Sequence, residues 1–497
     1  MFHPSPCGSP AEGHGHAAPP RSSTHRGALG SAALIVVLVA AVAVPVVYFG
    51  SNSVVGPSNA IPIRHIVIVM MENHAYDNLF GTYCQVVGPH CPSVANGIPP
   101  GTCVPYDPHS AAAGCIVPYN FTKSQLQTPD PGHGWVETNT AIDGGRMDGW
   151  YAAEGQTLTP FGHYNGTTTP TYWDLAQRYA LGDGFFSSAL SYSLPNHWYL
   201  LAGQVPPRGG VNTTDLTGAG WSGRHAYLNS SNATRTVQDL LNNSPGTSWK
   251  YYDWSLPTYQ RAINGVPGIF ALSAYNYWNP FAARAESYSS WYVSHFVPRS
   301  QFFTDASYGD LPAVSWVIPD PSFSDHPMAN LSAGESFVAS IVNAASSSTE
   351  WSSTAIFLSW DDYGGFYDHA PPPRVDPLGL SIRVPLIVIS PYTPAGRIVH
   401  SQGSFDSLLR FVEWRFNLGC LTPRDCHASL PLDYFDFSMS PRSPEFFPTT
   451  ASLATYPFAT PLAAGPGPPG SGPSYAVTPS AWDTGPPPTD LTAMQAD

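Results

Sequence analysis

Two stretches decide the fold of this chain: RHIVIVMMENHAYDNLFG (Arg64 to Gly81) and TAIFLSWDDYGGFYDH (Thr354 to His369). In each, a β-branched, apolar run reads as a strand buried on both faces, and carboxylates stand where that strand must give way to a loop. Ligand sites of open α/β sheets gather at such strand ends. Glu72, Asn73, Asp361 and Asp362 are all hard oxygen donors. Three of them ionised in one cleft would repel strongly unless a cation sat between them. One divalent metal ion is therefore the expected cofactor, and oxygen donors of this kind suit calcium, magnesium or manganese without excluding iron or zinc.

Outward from these elbows the pattern repeats. LPAVSWVIPD (Leu311 to Asp320) and RVPLIVIS (Arg383 to Ser390) read as further strands. TYWDLAQRYA (Thr171 to Ala180) has helical spacing, with Tyr172, Leu175, Ala176 and Tyr179 on one face. GESFVASIVNAA (Gly334 to Ala345) and FDSLLRFVEWRFNL (Phe405 to Leu418) read as helices too. Strands alternating with helices predict an α/β fold with a mostly parallel central sheet and helices on both faces. The catalytic domain is expected over 61–445, with an aromatic, Asn-rich stretch at 209–308 as a lid or cap insertion. Residues 1–27 form a polar tail, and the Pro/Gly-rich 446–497 cannot bury enough apolar surface to fold.

Composition limits the function. Of 497 residues, 43% are hydrophobic and only 11% charged, against about 25% charged in ordinary soluble domains. The net charge is −14, with lysine only at 123 and 250, which excludes nucleic acid as a partner bound through a basic patch. Residues 28–50 are predominantly apolar and uncharged from Ala32 to Phe49, the signature of a transmembrane helix. Arg21 and Arg26 precede it, and Ser51 to Ile63 carries no basic residue. The positive-inside bias then places the N-terminus in the cytoplasm and the bulk of the chain outside, anchored to the membrane. A cleaved signal peptide is the competing reading, and it exports the chain as well. Beyond the anchor, Cys84, Cys91, Cys103, Cys115, Cys420 and Cys426 form an even set suited to disulfides in an oxidising compartment. Six cysteines permit 15 pairings, of which Cys420 with Cys426 is the most natural. Glycosylation sequons at Asn120, Asn165, Asn212, Asn229, Asn232 and Asn330 fit an outside location.

Ser193 lies in SYSLPNHWYLLAG, where Leu194-Pro195 keeps the backbone extended ahead of a helix-like segment. Two readings stand: a hydroxyl presented at a turn, able to attack phosphorus when a cation ionises it, or a helix N-cap. With ENHAYDNLFGTY (from Glu72), GHGW (from Gly132) followed by RMDGW (from Arg146), FFSSALSYSLPN (from Phe185), SDHP (from Ser324) and DDYGGFYDHAPPP (from Asp361) all present in order, the chain resembles the phosphoesterase family of bacterial phospholipases C and acid phosphatases. The likeness runs from about Ile63 to Leu418.

The resemblance implies an alkaline-phosphatase-like core. It also implies a metal site of Glu72, Asn73, Ser193, Asp361 and Asp362, with His133 and His326 contacting the phosphoryl group. Ser193 looks like the nucleophile, standing where the phospholipase branch has threonine, and Asp361-Asp362 stands where that branch usually has Asp-Glu. Both choices lean toward the acid phosphatase branch. The implied activity is an exported hydrolase of phosphate esters, working through a phosphoserine on a small ester or a phospholipid headgroup. Two positions depart from the pattern: His197 follows Pro195-Asn196 where the family often has arginine, and Trp278 stands in YNYWNPF where a histidine is expected. They motivate the alternative, a non-catalytic surface or envelope binding protein on a degenerate scaffold. Asp368 and His369 are expected to fix the loop after the second elbow.

Overall fold

The apolar run after Arg64 forms strand β1 (His65–Met71), whose side chains alternate between two separate cores. Val67, Val69 and Met71 join one buried cluster, and Ile66, Ile68 and Met70 join the other. Period-two alternation with both faces apolar is what a strand in the middle of a covered sheet requires. In this computed structural model, residues 61–88, 91, 94–206, 234–253, 278–283 and 294–449 are described.

Around β1 lies an eight-stranded sheet. Its other strands in chain order are β2 (Ala180–Gly182), β3 (Trp249–Asp253), β4 (Phe296–Pro298), β5 (Val314–Val317), β6 (Thr354–Trp360), β7 (Leu386–Ile389) and β8 (Arg397–Val399). Their order across the sheet is β8-β2-β7-β6-β1-β5-β3-β4. β1 pairs in parallel with both β5 and β6, and the register Met71 opposite Trp360 brings the two acidic elbows side by side. Only β7 runs against the rest, antiparallel to β6 and to β2. The expected mostly parallel sheet is therefore present, with one reversed strand.

Helices cover both faces. α1 (Pro170–Arg178) and α3 (Leu331–Ser347) pack on the face that holds Val67 and Val69, and α2 (Ser193–Ala202) and α4 (Phe405–Phe416) pack on the opposite one. The four α1-face residues read from the sequence, Tyr172, Leu175, Ala176 and Tyr179, are all buried. Each such side chain contributes about 1.5–3 kcal/mol when removed from water. α3 begins at Asn330, whose side chain accepts a hydrogen bond from Ser332 N at 3.0 Å. That sequon asparagine thus serves as a helix cap, a role generally worth about 1 kcal/mol.

The stretch 209–308 lies partly outside the described residues, but two of its segments, β3 and β4, extend the sheet itself. Phe447, inside the compositionally biased tail, is buried and bonded through its backbone to the Asn343 side-chain amide at 2.8 Å in both directions. The disulfides are Cys84–Cys91, Cys103–Cys115 and Cys420–Cys426. The transmembrane segment expected at 28–50 lies outside the described residues, and among the described residues no helix is long and apolar enough to cross a membrane.

Candidate functional site

Because β5, β1 and β6 are adjacent and parallel, their C-terminal ends open on one edge of the sheet, and the loops that follow them meet there. Glu72 and Asn73 follow β1, Asp361 and Asp362 follow β6, and His326 follows β5 by nine residues. The loops are tied to each other: Glu72 N donates to Ser324 O at 2.8 Å, and Asn73 N donates to Asp361 Oδ1 at 3.0 Å. Asp362 N donates to the same Asp361 oxygen at 2.8 Å. Asn73 adopts a left-handed φ of 60°, a conformation that asparagine tolerates better than most residues. Opposite it, Gly364 has φ 58°, and a Cβ there would stand 2.4 Å from Asn73 O. The close approach of the two elbows thus depends on glycine at 364.

All four elbow residues are fully buried. Each has one side-chain oxygen with no hydrogen-bond partner: Glu72 Oε2, Asn73 Oδ1, Asp361 Oδ2 and Asp362 Oδ2. Buried polar atoms are ordinarily satisfied, because an orphan costs about 1–3 kcal/mol, and more when charged. Burial, and then the negative charge of Asp361, push the Glu72 carboxyl well above the usual carboxylate range, while the Ser193 hydroxyl, directed at the same carboxyl, pulls it partly back. Burial and Asp361 likewise raise Asp362. Four orphaned oxygens on two adjoining buried elbows, with two carboxyls raised by burial and by Asp361, fit a cation in charge and hardness.

Ser193 is the first residue of α2, after Tyr192 at the N-cap, so both expected features hold: a hydroxyl at a turn and a helix start. His133 Nδ1 lies 2.9 Å from Pro131 O, a carbonyl that can only accept, so Nδ1 carries the proton. Its Nε2, 3.1 Å from Asn73 Nδ2, then accepts from that amide. This chain of donors commits Asn73 Nδ2 to His133 and leaves Asn73 Oδ1 unpartnered. His326 Nδ1 lies 3.1 Å from Pro327 O, which by the same logic leaves the lone pair on Nε2. The two rings stand 6.4 Å apart, edge to face.

Behind His326, Asp325 is buried at a φ of 73° and receives Tyr172 Oη at 2.5 Å and Trp360 Nε1 at 3.0 Å. Burial lifts its carboxyl to about 7, against those two hydrogen bonds. Trp278 stands 6.1 Å from the His326 ring, and its carbonyl accepts from Tyr251 Oη at 3.0 Å. The segment is held at the end of β3 by Asn279 Nδ2 donating to Asp253 at 2.7 Å.

The structure brings together every expected site residue and adds two groups. His197 Nε2 lies 3.1 Å from Glu72 Oε1 and 3.8 Å from Asp361 Oδ2, and burial lowers its pKa to about 4. The signal for it was present in the sequence: it lies four residues after Ser193, hence on the same helix face. One layer below, Arg383 is fully buried and donates through Nη2 to Asp77 at 3.0 Å and through Nε to Asp368 at 3.1 Å. His369 Nδ1 stands 2.6 Å from the other Asp77 oxygen. Asp368 and His369 thus fix the second elbow from behind, as expected.

The sequence is similar to those of several known proteins. The model of the phosphoesterase family matches residues 63–419. The chain is 28% identical to phospholipase C A of Mycobacterium tuberculosis over 73% of this chain and 74% of that protein. It is also 28% identical to the non-hemolytic phospholipase C of Burkholderia pseudomallei, over 71% of this chain and 55% of the relative. A plant relative, non-specific phospholipase C6 of Arabidopsis thaliana, is 24% identical over 77% and 74% of the two chains. Among solved structures, the lipoteichoic acid synthase LtaP of Listeria monocytogenes aligns with 75% of this chain and 77% of that one, at 9% identity and a TM-score of 0.38. With its family model matched across most of its length, this chain belongs to the phosphoesterase family and is a phosphoric ester hydrolase.

Proposed function

We propose that the chain is an exported, metal-dependent phosphoesterase that works through a phosphoserine on Ser193, on an alkaline-phosphatase-like core, in the manner of an acid phosphatase or a phospholipase C. The observation that carries this reading is the set of four orphaned, buried oxygens on Glu72, Asn73, Asp361 and Asp362 beside a serine at a helix start. A cation held by these residues and Ser193 would offset the carboxylate charge and acidify the serine hydroxyl.

The Ser193 oxygen bonds to phosphorus as the bond from phosphorus to the leaving oxygen breaks, and its own proton goes to solvent. An imidazole, His133 or His326, that has taken up a proton from solvent at Nε2 gives it to the leaving oxygen and, while it holds that proton, hydrogen-bonds the charge growing on the phosphoryl oxygens. Water then cleaves the phosphoserine. Attack from Ser193, at the first turn of α2, would set the reacting phosphorus at the positive end of a ten-residue helix. Three disulfides support an oxidising compartment. The substrates that follow are small phosphate esters or phospholipid headgroups. A non-catalytic binding protein would be expected to have lost donors from the site, whereas here the set is complete.

Ser193→Ala tests the reading, with hydrolysis of an aryl phosphate and of phosphatidylcholine assayed side by side. Turnover should fall by about 1000-fold or more, with circular dichroism and Tm unchanged. Near-normal hydrolysis by a folded variant would reject the serine, and the preferred substrate separates the two enzyme types.

A further inference from the structure

The His197 imidazole has no place in the donor set derived so far, yet it sits inside it. Its Nε2 is 3.1 Å from Glu72 Oε1 and 3.8 Å from Asp361 Oδ2, and none of the three residues is more than 1% exposed. Two atoms bound at about 2.1 Å to one ion stand roughly 3.0–3.5 Å apart in octahedral or tetrahedral geometry. The observed spacings fall within a few tenths of an ångström of that shell. A hydrogen bond from Nε2 satisfies Glu72 Oε1 alone, whereas Glu72 Oε2 and Asp361 Oδ2 are left orphaned beside the same ring.

We infer that His197 Nε2 is a ligand of the catalytic cation, so that the site has mixed nitrogen and oxygen donors and prefers manganese, iron, cobalt or zinc to magnesium or calcium. Imidazole nitrogen suits the borderline transition metals, while magnesium and calcium favour all-oxygen shells. His197 is one turn along α2 from Ser193, so a single helix face delivers both the attacking oxygen and this nitrogen. The inference rests on the metal reading above and deepens it.

The test is pulsed electron paramagnetic resonance on the full chain loaded with Mn2+, read for the modulation that a bound imidazole nitrogen imposes. The wild-type protein should show the modulation, His197→Gln should lose it, and His133→Gln and His326→Gln should keep it. In titrations followed by Tm, His197→Gln should weaken Mn2+ binding by about 10- to 100-fold and change Mg2+ binding less than threefold. Mn2+ that binds wild-type protein without nitrogen modulation, or a signal unchanged in His197→Gln, overturns the inference and leaves the metal reading intact. If no Mn2+ binds at all, the metal reading itself fails. Should His197→Gln not fold, the other three spectra decide: a signal missing from wild type, or lost in the His133 or His326 variant, overturns it.

Discussion

Replacing Glu72 by glutamine should make the metal-free protein more stable while destroying its response to metal. Ligand atoms of Glu72 and Asp361 lie within 4.8 Å of each other. Two unit charges at that distance repel by about 3.5 kcal/mol at an effective dielectric constant of 20. The metal-free chain relieves part of this by holding a proton, since burial and Asp361 raise the Glu72 carboxyl well above its unfolded value. A carboxyl raised in the folded state contributes stability that is fully present below its unfolded pKa, about 4.3, and is lost as pH climbs through the folded value. Wild type and Glu72→Gln should therefore melt together near pH 4 in chelator, below that unfolded value. At pH 8 the variant should be more stable by roughly 2 kcal/mol, a Tm rise of a few degrees in a domain this large. With excess Mn2+ the order should reverse, because wild type gains the linkage term and the variant does not. Scanning fluorimetry at the two pH values, with and without Mn2+, reads all four states. A variant less stable than wild type at pH 8 in chelator, or one that Mn2+ stabilises equally, would refute the crowded-carboxylate argument.

The other expectations concern the same frame. Metal binding at pH 7 should release at least one proton, seen by calorimetry as a buffer-dependent enthalpy, because the raised Glu72 and Asp362 carboxyls must ionise to coordinate. Gly364→Ala should weaken Mn2+ affinity by at least about tenfold, since a Cβ would meet Asn73 at 2.4 Å, on top of the roughly 1–2 kcal/mol cost of the left-handed backbone. Gly101→Ala, at a φ of 81° with nothing near its Cβ, should pay only the backbone cost and leave Mn2+ affinity unchanged. Arg383→Met should lower stability by about 3–5 kcal/mol in urea titrations, because Asp77 and Asp368 would be left buried without their cation.

Both elbows were legible in the sequence because a run apolar on both faces reads as a covered strand, and carboxylates at its end need something to offset their charge. The direction of β7 was not legible: PLIVI reads identically whichever way it crosses the sheet. β3 and β4 were hidden because their aromatic-rich surroundings show no period of two, so sheet strands resembled an insertion. Four donors and the serine could be named from motifs, yet only coordinates reveal that each donor keeps one orphaned oxygen. The inward turn of His197 could be read only from its spacing to Ser193, since the WYLLA that follows it is apolar all round and selects no face. Arg383 escaped because its partner Asp77 lies 306 residues away, and no local pattern pairs them.

The guanidinium of Arg383 joins the loop after β1, through Asp77, to the loop after β6, through Asp368, and is capped by the Tyr76 ring at 4.3 Å. Such a rivet keeps the cradle in shape whether or not an ion is seated. Exchange of one cation for another then requires no rebuilding of the backbone, and the metal recovered with purified protein would record what its surroundings supplied as much as what the site prefers.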